Sequence, residues 1–195
     1  ETPIFPVQIF RVKEGVNYHP YLPRDDGRLP MSDFGGEHRY NVTGLYHDIW
    51  GFPTGNPDEV RKLVYHLVDK IEAKADEIAR YKALYLDDAR QIFISYGSSA
   101  RSTLHLVNTL RERGIRAGLI ELQTLWPFPA ALIARLTEKA RTLYVVEMNM
   151  GQICAQVKQA AREPDRVFLI NRMDGQLITP TDIGNVMRVV EGRGF

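Results

Sequence analysis

Only one of the 195 residues is cysteine, Cys154. A single thiol excludes an internal disulfide, a four-cysteine zinc site and an iron–sulfur cluster held by this chain alone. A disulfide-free chain fits a reducing compartment, and cytoplasmic residence is the expectation. No apolar run nears the ~18 residues of a membrane span, so no membrane partner is expected. The opening stretch ETPIFPVQIFRVKEG has no signal-peptide pattern. It begins with Glu rather than Met, and we expect a piece of a longer polypeptide. An excess of one charge sign is also missing, since 25 Lys and Arg stand against 24 Asp and Glu. That balance gives no basic field for a phosphate backbone, and no nucleic-acid partner is expected.

Several catalytic signatures are absent too. The sequence has no GxGxxG, no Walker lysine after a glycine-rich loop and no GxSxG. Its histidines, His19, His38, His47, His66 and His105, lack the i, i+4 spacing of a metal pair, so no metal site is expected.

What is present falls into unequal regions. Residues 1–57 hold seven of the 11 prolines and seven of the 15 glycines. Stretches such as Tyr18-His19-Pro20-Tyr21-Leu22-Pro23 read as turns and extended chain. The same region carries Phe5, Phe10, Tyr18, Tyr21, Phe34, Tyr40, Tyr46, Trp50 and Phe52, too many rings for a solvated linker. It reads as an arm, residues 1–56, that lies on a neighbouring surface. Asn56 then caps, Pro57 suits a first helical turn, and apolar residues from Val60 to Ile78 keep a 3.6-residue period. This predicts one connecting helix to about Tyr81, within a segment 57–86.

Residues 87–195 alternate. Apolar strands are expected at Ile92–Tyr96, Ala117–Leu122, Leu143–Val146 and Val167–Ile170. Helices follow at about 98–113, 130–139, 151–162 and 180–191, the last capped by Thr179. The fold class is α/β, a three-layer α/β/α domain with a mostly parallel sheet.

In such sheets ligands meet the carboxyl ends of the strands. Gly97, Ser98, Ser99 and Arg101 enter a helix and read either as an anion site or as a plain capped turn. Glu147, Asn149 and Gln152 follow the third apolar strand; without a visible acid–base partner, they read as interface contacts. Trp126 and Phe128 read as packing residues and Cys154 as an inert core thiol. No catalytic set emerges from the residues themselves.

Thr43-Gly44-Leu45-Tyr46-His47-Asp48, Gly51-Phe52-Pro53-Thr54 and Ile94-Ser95-Tyr96-Gly97-Ser98-Ser99-Ala100-Arg101-Ser102 come in order with further blocks. These are Leu125-Trp126-Pro127-Phe128-Pro129, Val146-Glu147-Met148-Asn149-Met150-Gly151-Gln152 and Asp174-Gly175-Gln176-Leu177-Ile178-Thr179-Pro180. Together they resemble the α subunits of 2-oxoacid:ferredoxin oxidoreductases over residues 38–190, with a 2-oxoglutarate (KorA-type) flavour. The resemblance implies a second domain like the transketolase C-terminal domain, preceded by the end of the first domain. It also implies an enzyme that converts a 2-oxoacid and CoA to acyl-CoA and CO2 while reducing ferredoxin. Thiamine diphosphate, Mg2+, iron–sulfur clusters and CoA serve that complex. The family's thiamine-activating glutamate has no match in this chain, so no catalytic, cofactor or metal residue is carried over. The expected partners are a β subunit, γ and δ subunits as further candidates, and ferredoxin through the complex, in a dimer of heteromers. The expected contacts are the loops at Gly97–Arg101 and Glu147–Gln152, with His47 and Asp48 reaching toward a neighbour. A stand-alone small-molecule-binding module, or the same domain of another thiamine diphosphate enzyme, are the competing readings.

Overall fold

The computed structural model describes residues 9–192. Phe5 of the aromatic arm and the last three residues of the expected α/β domain lie outside the described residues. Contacts divide the chain into two compact units, 1–74 and 75–195.

In the first unit, residues 9–56 form no helix, and their only pairing is at isolated bridges, Arg11 with Met31 and His47 with Pro53. Side chains tie the arm to its own backbone: Tyr21 Oη donates to Asn41 O at 2.9 Å and Tyr40 Oη to Ser32 O at 2.9 Å. Rings pair locally, with Tyr18 edge-on to Tyr40 at 5.7 Å. Helix α1 (Pro57–Glu72) then starts where Asn56 Oδ1 accepts the Asp58 amide at 2.9 Å.

The helix expected to run to Tyr81 is interrupted. It stops at Glu72, a single turn α2 (Ala75–Ile78) follows, and Tyr81–Leu84 becomes strand β1. The apolar period runs across the break, so the pattern alone could not show it. What draws Tyr81–Leu84 out is antiparallel pairing with residues some forty positions later, Tyr81 opposite Leu122 and Leu84 opposite Leu119. As an edge strand it keeps most of its side chains exposed and lacks an apolar signature.

The four apolar strands stand as expected: β2 (Gln91–Tyr96), β3 (Ala117–Leu122), β4 (Thr142–Glu147) and β5 (Val167–Asn171). The five-stranded sheet has the order β1-β3-β2-β4-β5, parallel except at β1. The helices are α3 (Gly97–Glu112), α4 (Ala130–Lys139), α5 (Gln152–Ala160) and α6 (Pro180–Val190). Strand alternation sorts the core into two layers. Ile92, Ile94, Leu143 and Val145 pack with Leu132, Ile133, Ile153 and Val157 of α4 and α5. Phe93, Tyr144 and Val146 pack with Val107, Leu110, Ile183 and Met187 of α3 and α6. Gly118 in β3 is required by a close approach, because a Cβ there would stand 2.9 Å from Tyr85 O and from Leu86 Cδ2. No helix among the described residues is long and apolar enough to cross a membrane.

Candidate functional site

From β2 the chain passes to β3 on one side, whereas from β4 it passes to β5 on the other, so the strand order reverses at the β2–β4 junction. That junction, at the carboxyl ends of the strands, is where open α/β sheets present a crevice. The loops opening α3 and α5 flank it, and they hold the residues singled out from the sequence.

The crevice is filled by the chain's own polar groups. Glu147, at the end of β4, is 0% exposed. Its Oε2 accepts the Ile153 amide at 3.1 Å and its Oε1 the Cys154 amide at 2.9 Å. Tyr96 Oη, at the end of β2, donates to Glu147 Oε2 at 3.1 Å, and Asn149 Nδ2 donates to that phenol. Asn149 Oδ1 takes the Gly151 amide at 2.8 Å and the Gln152 amide at 3.1 Å. Four consecutive N–H groups at the start of α5 are therefore satisfied by two side chains, with a carboxylate set against the positive end of the helix. Gly151, at φ +97°, makes the sharp entry that lets both side chains reach back. Burial, and then the neighbouring Glu147 charge, push the Tyr96 phenol up to about 12. Burial also raises the Cys154 thiol, in keeping with an inert core cysteine.

Across the junction, Ser95 Oγ donates to Val146 O at 2.8 Å, and Ser99 Oγ donates to Tyr96 O at 2.8 Å. Ser99 is thus buried and spent inside the domain, whereas Gly97, Ser98 and Arg101 are exposed at the start of α3, which has no side-chain cap. Gln152 is exposed at the start of α5. Glu147 was expected to be a contact, but an enclosed carboxylate offers nothing to a neighbour; it orders the loop on which Met150, 72% exposed, stands out. Trp126 also departs from expectation. Phe128 packs against the α4–α5 layer, but Trp126 is 57% exposed in the loop after β3. Met173 and Leu177, in the loop after β5, are exposed as well. Nothing in the linear order of residues signals that Tyr96 serves Glu147, because the pair forms only once β2 and β4 lie side by side.

His47 and Asp48 belong to the first unit. His47 is 4% exposed, stacked on Tyr21 at 4.5 Å with its Nε2 3.0 Å from Thr43 Oγ1. Asp48 Oδ1 accepts the Trp50 and Phe52 amides, both at 2.9 Å, and closes a turn. Both residues shape the Thr43–Thr54 loop rather than project from it. Its outward surface includes Leu45, Tyr46, Ile49, Trp50 and Phe52, all exposed.

Comparison with known proteins follows this architecture. Residues 89–183 match pyruvate:ferredoxin oxidoreductase core domain II. The 2-oxoglutarate synthase subunit KorA of Methanocaldococcus jannaschii is 38% identical over 164 residues, which is 84% of this chain and 44% of that protein. KorA of Methanothermobacter marburgensis is 40% identical over 167 residues, 85% of this chain and 44% of its own length. The chain belongs to the KorA-like α subunits of 2-oxoacid:ferredoxin oxidoreductases. A solved 2-oxoglutarate:ferredoxin oxidoreductase from Magnetococcus marinus shares the fold, with a TM-score of 0.79 at 20% identity over 95% of this chain and 32% of that one. The present chain thus spans less than half the length of these KorA relatives.

For the whole complex the resemblance implies thiamine diphosphate with Mg2+ and iron–sulfur clusters, and the described residues of this chain do not fit them. Among the described residues no group of three or more His, Cys, Asp or Glu could hold a metal ion. Glu147 is consumed by two amides and a phenol, and a lone cysteine cannot hold a cluster.

Proposed function

We propose that this chain is the docking part of the α subunit of a 2-oxoglutarate:ferredoxin oxidoreductase. In the reaction assigned to the whole enzyme, 2-oxoglutarate loses CO2, its acyl group passes to the sulfur of CoA, and two electrons pass to ferredoxin. The substrate assignment rests on likeness to KorA proteins. This portion contributes architecture: it completes the α subunit, contacts a β subunit and helps build a dimer of heteromers.

The observation that carries the docking role is the carboxyl edge of the sheet. Its polar groups at the β2–β4 junction are used internally, while Trp126, Met150, Met173 and Leu177 are exposed in the loops after β3, β4 and β5. Apolar side chains exposed on the loops of this edge make a better protein contact than a reaction centre. Anaerobic viologen reduction dependent on 2-oxoglutarate and CoA tests this, with thiamine diphosphate present. We expect turnover from the full α subunit with its β partner and none from this chain alone. Met150→Asp and Arg101→Glu in the full subunit should lose subunit association and turnover together. Turnover by the chain alone, or both variants assembling and working normally, would overthrow the docking role.

A further inference from the structure

The first unit holds a pocket of about 270 Å3 walled by the arm and by α1. Tyr21, Leu22, Ile49 and Leu63 give it apolar sides. Two histidines complete the lining, and each keeps a ring nitrogen unpaired. His47 is 4% exposed; its Nε2 stands 3.0 Å from Thr43 Oγ1, and its Nδ1 has no hydrogen-bond partner among the described residues. His66, from α1, has its Nε2 buried and likewise without a partner. Unpaired nitrogens in enclosed places cost stability, and a ligand that bonds to them relieves the cost.

The carboxylates of the lining are only half spent. Asp48 Oδ1 takes the two loop amides described above, and Glu59 Oε2 takes the Thr54 hydroxyl at 2.5 Å. Asp48 Oδ2 and Glu59 Oε1 have no hydrogen bond among the described residues. Neither carboxylate is in an ion pair, and nor is Lys62, the one lysine of the lining; the adjacent Arg61 and Asp58 of α1 answer each other at 3.1 Å. Burial, and then Lys70, hold His66 below the usual imidazole range, so it adds no charge at neutral pH. A carboxylate oxygen can only accept, whereas an imidazole nitrogen can give or take. The free polar atoms therefore ask for a ligand that brings donors and positive charge. A metal ion does not fit, because no three His, Cys, Asp or Glu among the described residues are placed to hold one.

We infer that this pocket binds a small primary amine as its ammonium ion, with the N–H donors on Asp48 and Glu59 and a short alkyl body against Tyr21, Leu22 and Leu63. An ammonium supplies three charge-assisted donors to oxygens that have none. The volume lies at the lower end for ligand pockets and selects a body of a few carbons. All of these residues belong to the first unit, so the site stands apart from the docking edge of the sheet.

The probe is n-butylammonium, titrated into the isotope-labelled 195-residue chain while the ring signals of His47 and His66 are followed by NMR. Butyrate, n-butanol and Nα-acetyl-lysine methylamide are offered in separate arms. We expect saturable shifts of both ring signals with butylammonium in the millimolar range and none with butyrate. Glu59→Gln keeps an acceptor for Thr54 and should weaken binding about fivefold, whereas Lys62→Met removes a like charge and should strengthen it about threefold. Leu63→Trp, which fills the pocket from α1, should abolish the shifts. Butanol binding as well as butylammonium, binding indifferent to both charge variants, or no shift at all overturns the inference. Tighter binding of butyrate overturns it in favour of an anion, and tighter binding of the lysine derivative in favour of a partner's side chain.

Discussion

The two units of this chain use apolar residues in opposite ways. In the α/β unit, five of the six residues of β2 are buried, and each of the strands β2 to β5 divides its side chains between two helix layers. In the first unit, α1 has the periodicity of a packed helix and yet none of its residues is buried. The arm orders itself instead through local bonds: Asp48 closing a turn, Tyr21 stacked on His47, Tyr40 reaching Ser32. One unit is stabilised by its interior, whereas the other is shaped locally and keeps its apolar groups available. The lesson is that aromatic content alone does not make a core. Burial requires facing layers, and only the alternating half of this sequence builds them.

The contrast breaks most readily at a buried ring. Phe93, stacked on Tyr144 at 5.0 Å and fully buried, should cost about 3–5 kcal/mol as Phe93→Ala, whereas Phe34→Ala should stay within about 0.5 kcal/mol. Urea unfolding of the chain measures both, and comparable losses would erase the distinction between the units. Next in size is Glu147→Ala. It strands two amides and the Tyr96 phenol in a buried site, and a loss of about 2–4 kcal/mol is expected from the same unfolding curves. Helix caps then sharpen the comparison at about 1 kcal/mol each. Thr179→Ala removes a capping box from α6, which packs into the sheet, and should lower global stability. Asn56→Ala should instead speed amide exchange at the start of α1 and leave global unfolding unchanged.

The smallest effect is a pH slope. The Tyr96 phenol is held up at about 12, so between pH 10 and 12 the folded chain binds more protons there than the unfolded chain. Its contribution is complete below about pH 10 and fades as pH rises through 12. Burial, followed by Glu191, raises Tyr144 in the same direction. Tyr96→Phe should therefore flatten the alkaline loss of stability only in part, as read from denaturant midpoints at pH 9 to 12.

Much of the α/β unit was legible in the sequence because its strands are apolar runs bounded by Gly, Ser and Pro, and its helices are punctuated by Thr179-Pro180 and Gly114. Strand β1 was not, since Tyr-Lys-Ala-Leu at an exposed edge is defined by its partner rather than its own pattern. The candidate loops could be located, but their chemistry could not be read. Glu147 looks like a contact until β2 places Tyr96 beside it, and Trp126 looks like core until its loop leaves it exposed. The first turns on a contact between residues 51 positions apart and the second on the burial of a loop side chain, and one-dimensional periodicity encodes neither.

The proposed docking of the sheet's carboxyl edge on a neighbouring subunit is tested most directly by hydrogen–deuterium exchange. The full α subunit would be followed alone and after assembly with its β partner, peptide by peptide. The docking role predicts protection on assembly in the loops at 97–101, 123–129, 148–152 and 171–178, with the buried strands unchanged. Assembly that leaves all four loops exchanging as before would contradict it.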